Sequence, residues 1–125
     1  MRVSVIAVGT RMPSWVRNAC DEYLTRMRSS LAVALTEIEP ASRRAGGAPK
    51  AVAREGERLL ASLHPADHVV ALDERGRELT TRELATWLGG RMQQGEDLAF
   101  LIGGPDGLAP EVLARSEERR VGKEC

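Results

Sequence analysis

The residues best placed to do chemistry are Ile102-Gly103-Gly104-Pro105-Asp106-Gly107-Leu108, directly after the apolar run Leu98-Ala99-Phe100-Leu101-Ile102. So short an apolar run reads as a buried strand, and Ala109-Pro110-Glu111 reads as the opening of a helix. Three glycines between a strand and a helix let backbone amides approach a ligand closely, because no Cβ stands in the way. Ligands of open α/β sheets bind outside the carboxyl ends of the strands, which is where this turn falls. The plain alternative is a tight strand-to-helix connection with no ligand.

The other candidates carry weaker signals. Asp73 ends a second apolar run and reads either as a catalytic carboxylate or, more simply, as a turn residue satisfying nearby amides. His64 and His68 have a metal-like spacing, but Pro65 ends any helix between them, so they would not share a face and no metal site is expected. Arg43, Arg44, Lys50 and Arg54 suit RNA phosphates or, equally well, a solvated loop and helix start. Trp15, Tyr23 and Met27 form a helical stripe that reads as core rather than as a stacking platform.

The elements that must position these residues follow from periodicity. Residues 3–8 form a short β-branched run and predict a central strand; 9–13 are a loop, and Ser14 is a plausible N-cap. From there to about Arg28, Trp15, Val16, Ala19, Cys20, Tyr23, Leu24 and Met27 lie on one helix face. Residues 31–38 alternate as a second strand, and 39–48 are a polar loop. Pro49 suits the first turn of the next helix, with Val52, Ala53, Gly56, Leu59, Leu60 and Leu63 inward and Pro65 blocking continuation. Residues 68–73 predict a third strand buried on both sides, closed by a turn at Asp73-Glu74-Arg75-Gly76. Thr80 and Glu83 offer a capping box for a helix that turns Leu84, Ala85, Trp87, Leu88 and Met92 inward. Gly89-Gly90 should fray that helix, and Gly95 breaks the pattern before the fourth strand. Strands alternating with helices imply an α/β domain with a mostly parallel sheet and flanking helices.

Composition narrows the class. A chain of 125 residues makes one domain, and an apolar share of 42% with only 3% aromatic residues predicts an aliphatic core. Eighteen basic and 18 acidic residues cancel, which argues against a strong general nucleic-acid field but not against a local patch. Two cysteines, Cys20 and Cys125, make no disulfide framework, so a reducing cytoplasm is expected, with Cys20 a small core residue. No apolar stretch is long enough for a membrane span, and the first apolar run is too short for a signal peptide.

At this point the residues match a known family. Val5-Ile6-Ala7-Val8-Gly9-Thr10-Arg11-Met12-Pro13-Ser14-Trp15-Val16 resembles the opening of the ribosomal RNA large subunit methyltransferase H family. Tyr23, Glu37-Ile38, Glu55-Gly56 and Leu72-Asp73 recur in register with it, and Leu101-Ile102-Gly103-Gly104-Pro105-Asp106-Gly107-Leu108 resembles its cofactor loop. The resemblance implies the SPOUT class, an α/β scaffold with a trefoil knot near the carboxyl terminus. It implies S-adenosylmethionine as cofactor, a homodimer, and methylation of a pseudouridine ring nitrogen of 23S rRNA in the assembled ribosome. It places Leu72 and Gly103 against the cofactor, with Gly104 and Gly107 shaping the loop. It supplies no catalytic residue from the positions present.

The resemblance runs over residues 1–114. Family members continue with a further strand, a Pro-His segment, a helix carrying Arg and Glu-Gln, and a Tyr-His region. Residues 115–125 are instead charged with almost no apolar face, too polar to replace a core strand. The expectation is a carboxyl-terminally truncated domain, missing the knot-forming segment and impaired in activity, followed by a foreign tail. The rival is a non-catalytic α/β binding module that keeps the scaffold and has lost the reaction. A receiver-like domain fits less well, since the first strand is followed by Gly9-Thr10-Arg11 and not by an acidic cluster.

Overall fold

A computed structural model describes residues 2–9, 14–27, 32–44, 46–104 and 106–122, without the side chains of residues 15–17, 20, 23, 27, 74, 75, 77, 79, 81 and 118–122. The expected loop at 10–13, the Trp15, Tyr23 and Met27 stripe, and the placements of Cys20 and Cys125 lie outside that description.

Strands β1 (Arg2–Val8), β2 (Ala32–Ile38), β3 (His68–Leu79), β4 (Leu98–Ile102) and β5 (Glu118–Gly122) alternate with helices α1 (Ser14–Met27), α2 (Gly47–Ala61), α3 (Thr81–Gln94) and α4 (Pro110–Arg115). The sheet order is β2-β1-β4-β3-β5, and every neighbouring pair is parallel. The expected α/β architecture is therefore present, with β1 inside the sheet and β2 at an edge. Parallel strands need crossovers, and the helices supply them.

One face of the sheet carries the main core. Ile6, Val69, Ala71, Ala99 and Leu101 meet Leu59 of α2 and Val112 and Leu113 of α4. Burial of Leu59 and Leu101 contributes roughly 2–3 kcal/mol each. A Cβ added at Gly56 would stand 2.8 Å from Ala109 Cβ and 3.2 Å from Val112 Cγ2, so α2 and α4 approach as closely as they do only because position 56 is glycine. On the opposite face Trp87 of α3 meets Phe100 edge-on at 6.3 Å between centroids and tilts over His68 at 6.2 Å.

Several expectations are corrected. Ala53 is exposed, and Ala51 and Glu55 take buried places on α2 instead. Helix α3 has its capping box, with Thr80 accepting from the Glu83 amide and Glu83 from the Thr80 amide. It does not fray at Gly89-Gly90 but runs to Gln94 and stops at Gly95, whose φ of +71° is a left-handed cap. Leu84 and Met92 are 40% and 43% exposed and Ala85 is exposed, so only Trp87 and Leu88 of the expected inner face are partly covered. Strand β3 does not end at Asp73. Leu72 and Arg77 both lie opposite Arg120 of β5, so residues 73–76 leave the ladder as a bulge within one strand rather than as a closing turn. A strand partner on both sides of the bulge overrides the local turn preference.

The charged segment after α4 takes an edge position beside β3, not a core one. An edge strand needs backbone pairing on one side only and tolerates charge. Its approach is pinned by Glu117, whose amide donates to Val69 O and whose Oε2 accepts from the Val69 amide at 2.6 Å. Arg115 donates to Glu117 Oε1 at 2.8 Å and to Asp67 O at 3.2 Å. No helix among the described residues is long and apolar enough to cross a membrane.

Candidate functional site

The strand order reverses between β1 and β4. The chain leaves β1 toward β2, crosses to β3 on the far side, and returns to β4 beside β1. A reversal of this kind opens a crevice outside the carboxyl ends of the two strands, the usual ligand position in such sheets. The ends meeting there are in register: Ala7 of β1 and Leu72 of β3 both pair with Ile102 of β4.

The turn that follows Ile102 closes on itself. Gly104 and Gly107 form an antiparallel bridge, and the Gly107 amide donates to Gly104 O at 3.1 Å. Gly107 has φ of +82°, a conformation that a side chain rarely adopts. A Cβ at Gly103 would stand 2.7 Å from the Gly107 carbonyl carbon and oxygen. One at Gly104 would stand 3.3 Å from Val8 Cγ1 and 3.4 Å from Glu55 Oε1. The glycine at 103 is thus demanded by the packing of the turn against itself, a reason the sequence alone did not offer, while a side chain at 104 would need Val8 to give by a few tenths of an ångström.

Leu72 was expected to be buried on both sides. It is instead 36% exposed, beside Ile102 at 37%. Both belong to the sheet face that carries His68 and Phe100. Together they make an apolar shelf next to the Gly-rich turn. Asp73 is buried in the bulge of β3 and so does not serve the turn assigned to it.

The basic group resolves into two kinds of residue. Arg43 is committed to carboxylates: Nη1 donates to Glu55 Oε2 at 2.6 Å, Nη2 to Glu55 Oε1 at 3.3 Å, and Nε to Asp106 Oδ2 at 3.1 Å. Glu55, 2% exposed, also accepts from the Ala41 amide at 3.0 Å. The Glu55 carboxylate, and after it Asp106, raises the Arg43 guanidinium further above its already high ordinary value, so its charge is constant through the neutral range. Arg44, Lys50 and Arg54 are exposed. Sequence reasoning missed this Arg–Glu–Asp arrangement. Its one local sign is Glu55 itself, a carboxylate at helical spacing from Val52 and Leu59 on an inward face.

His64 precedes Pro65 and His68 opens β3, so the two do not share an element. Among the described residues no group of three His, Cys, Asp or Glu side chains is arranged to hold a metal.

Comparison with known proteins gives the same direction. A family model described as predicted SPOUT methyltransferase matches residues 1–121. The protein named ribosomal RNA large subunit methyltransferase H from Burkholderia vietnamiensis is 45% identical over 118 residues, covering 94% of this chain and 76% of the relative. The protein of the same name from Anaeromyxobacter dehalogenans is 48% identical over 119 residues, covering 95% of this chain and 77% of the relative. With the family model matching nearly the whole chain and these relatives matched over three quarters of their length, the chain belongs to the SPOUT methyltransferase family.

Proposed function

We propose that this protein transfers a methyl group from S-adenosylmethionine to a pseudouridine ring nitrogen of 23S rRNA in the assembled ribosome, acting as a cytoplasmic homodimer. The observation that carries this reading is the in-register placement of Leu72 and Ile102, an exposed apolar shelf, beside the closed Gly103–Gly107 turn at the strand-order reversal. An apolar shelf next to backbone groups fits an adenine, which offers a flat apolar face and a hydrogen-bonding edge. The matched relatives are named as rRNA methyltransferases, which supports the substrate class.

Bound S-adenosylmethionine supplies an electrophilic methyl group on a sulfonium. The chain's own part is then positional. Leu72 would hold the apolar adenine of the donor, and the backbone of Gly103, Gly104 and Gly107 would shape the turn that receives it. Holding donor and acceptor in line supplies much of the barrier reduction for a transfer of this type. A ring nitrogen must also lose its proton to attack, and no described residue is assigned as the base.

The test is calorimetric titration of the 125-residue protein with S-adenosylmethionine, followed by transfer of labelled methyl to intact ribosomes and to free 23S rRNA. Saturable binding with label entering assembled ribosomes supports the proposal. Binding without transfer identifies a donor-binding module instead, and absence of binding overturns the reading.

A further inference from the structure

The contacts of Arg43, Glu55 and Asp106 join three distant stretches of chain: the loop after β2, the inner face of α2, and the Gly-rich turn after β4. A carboxylate as deep as Glu55 loses its hydration, and only well-aligned partners offset that loss. The guanidinium is a rigid planar fork. With Nη1 and Nη2 both committed to Glu55, the direction of Nε is fixed, and Asp106 stands on it at 3.1 Å. The Arg43 orientation therefore depends on Glu55, and the Asp106 orientation on Arg43. The turn also lies beside the pair: a Cβ built on Gly104 would be in ordinary van der Waals contact with Glu55 Oε1 at 3.4 Å and Arg43 Nη2 at 3.6 Å.

We infer that Glu55 is a positioning residue that acts through Arg43 to hold the 103–107 turn in the shape that receives the methyl donor. The inference rests on the proposal that this turn binds S-adenosylmethionine. It leaves Gly103 and Gly107 to closure of the turn.

The experiment is a double-mutant cycle of Glu55→Gln and Asp106→Asn in the full chain. Two readouts are taken: the dissociation constant for S-adenosylmethionine, and hydrogen exchange of the Gly107 amide, whose bond to Gly104 O reports closure of the turn. Asp106 is partly exposed, so Asp106→Asn tests the connection without emptying a buried site. Each single change is expected to weaken donor binding about tenfold, as loss of one charge-assisted hydrogen bond would. The double change should be no weaker than the worse single, because both cut the same connection. Gly107 exchange should quicken in both singles. Multiplicative losses, or unchanged Gly107 exchange in Glu55→Gln, overturn the inference. If the parent protein fails to bind S-adenosylmethionine, the donor proposal falls, and Gly107 exchange alone still decides whether Glu55 holds the turn. Should Glu55→Gln not fold, Arg43→Lys takes its place in the cycle, since a lysine keeps the charge but lacks the fork that reaches both carboxylates.

Discussion

Gly103 and Gly107 are in contact across the turn so closely that a Cβ on the first would stand 2.7 Å from the carbonyl of the second. The neighbour is backbone, which cannot swing aside. Gly103→Ala is therefore expected to open the turn and weaken S-adenosylmethionine binding by about tenfold or more, close to the loss of one or two hydrogen bonds. Calorimetry on the purified variant checks this, and undiminished affinity removes the turn from the donor site. Gly107→Ala has open space around it but a left-handed φ, so its cost is conformational only, about 1 kcal/mol of stability.

Leu72→Ala separates the shelf from the core. The side chain is 36% exposed, so truncation should cost about 1–2 kcal/mol of folding stability, below the loss at a fully buried leucine. If the shelf carries the adenine, donor affinity should fall about fivefold, the equivalent of roughly 1 kcal/mol of lost apolar contact. Paired urea melts and titrations decide between a shelf that binds and one that merely ends a strand.

Two glycines in helices should respond with opposite signs. Gly56→Ala gains about 1 kcal/mol of helix propensity but forces a methyl to within 2.8 Å of Ala109 Cβ, and overpacking of this kind costs about 1–3 kcal/mol. A net loss of about 1 kcal/mol is expected. Gly89→Ala meets nothing within 4 Å and should stabilise by about 0.5–1 kcal/mol. Denaturant midpoints of the two variants provide the comparison.

Thr80→Ala removes the capping bond to the Glu83 amide at 3.1 Å and should cost about 1 kcal/mol. Because Leu84 and Met92 of α3 are only partly covered, at 40% and 43% exposed, limited packing compensates for a lost cap. Faster exchange of the amides in its first turn, with the sheet amides unchanged, is the expected pattern.

What could be read from the sequence was what local signals carry. The runs at 3–8 and 98–102 announced strands because short apolar runs that end at a glycine leave few other readings. Thr80 and Glu83 announced a helix start because the capping box is completed within one turn. Long-range partners decided the rest. Residues 73–76 look like a turn and stay inside β3 because β5 pairs on both sides of them. Arg43 read equally well as a phosphate ligand or as a solvated loop residue and is instead bound by carboxylates at positions 55 and 106, which no spacing along the chain connects. The Gly-rich segment was recognisable as a turn, whereas the reason for each glycine depended on what stands opposite it.

The position of β4 between β1 and β3 has a consequence for the order in which the molecule can assemble. As the chain emerges from the amino terminus, β1 and β2 have each other from residue 38 onward, but β1 and β3 present open inner edges until residues 98–102 are available. The central strand must therefore pair with two partners distant from each other in sequence, a long-range closure of the sort that slows folding. Until it arrives, two apolar strand edges are free to pair with other nascent chains. Gly103 and Gly107 follow β4 in the chain, so the turn is synthesised only after the strands on both flanks of β4.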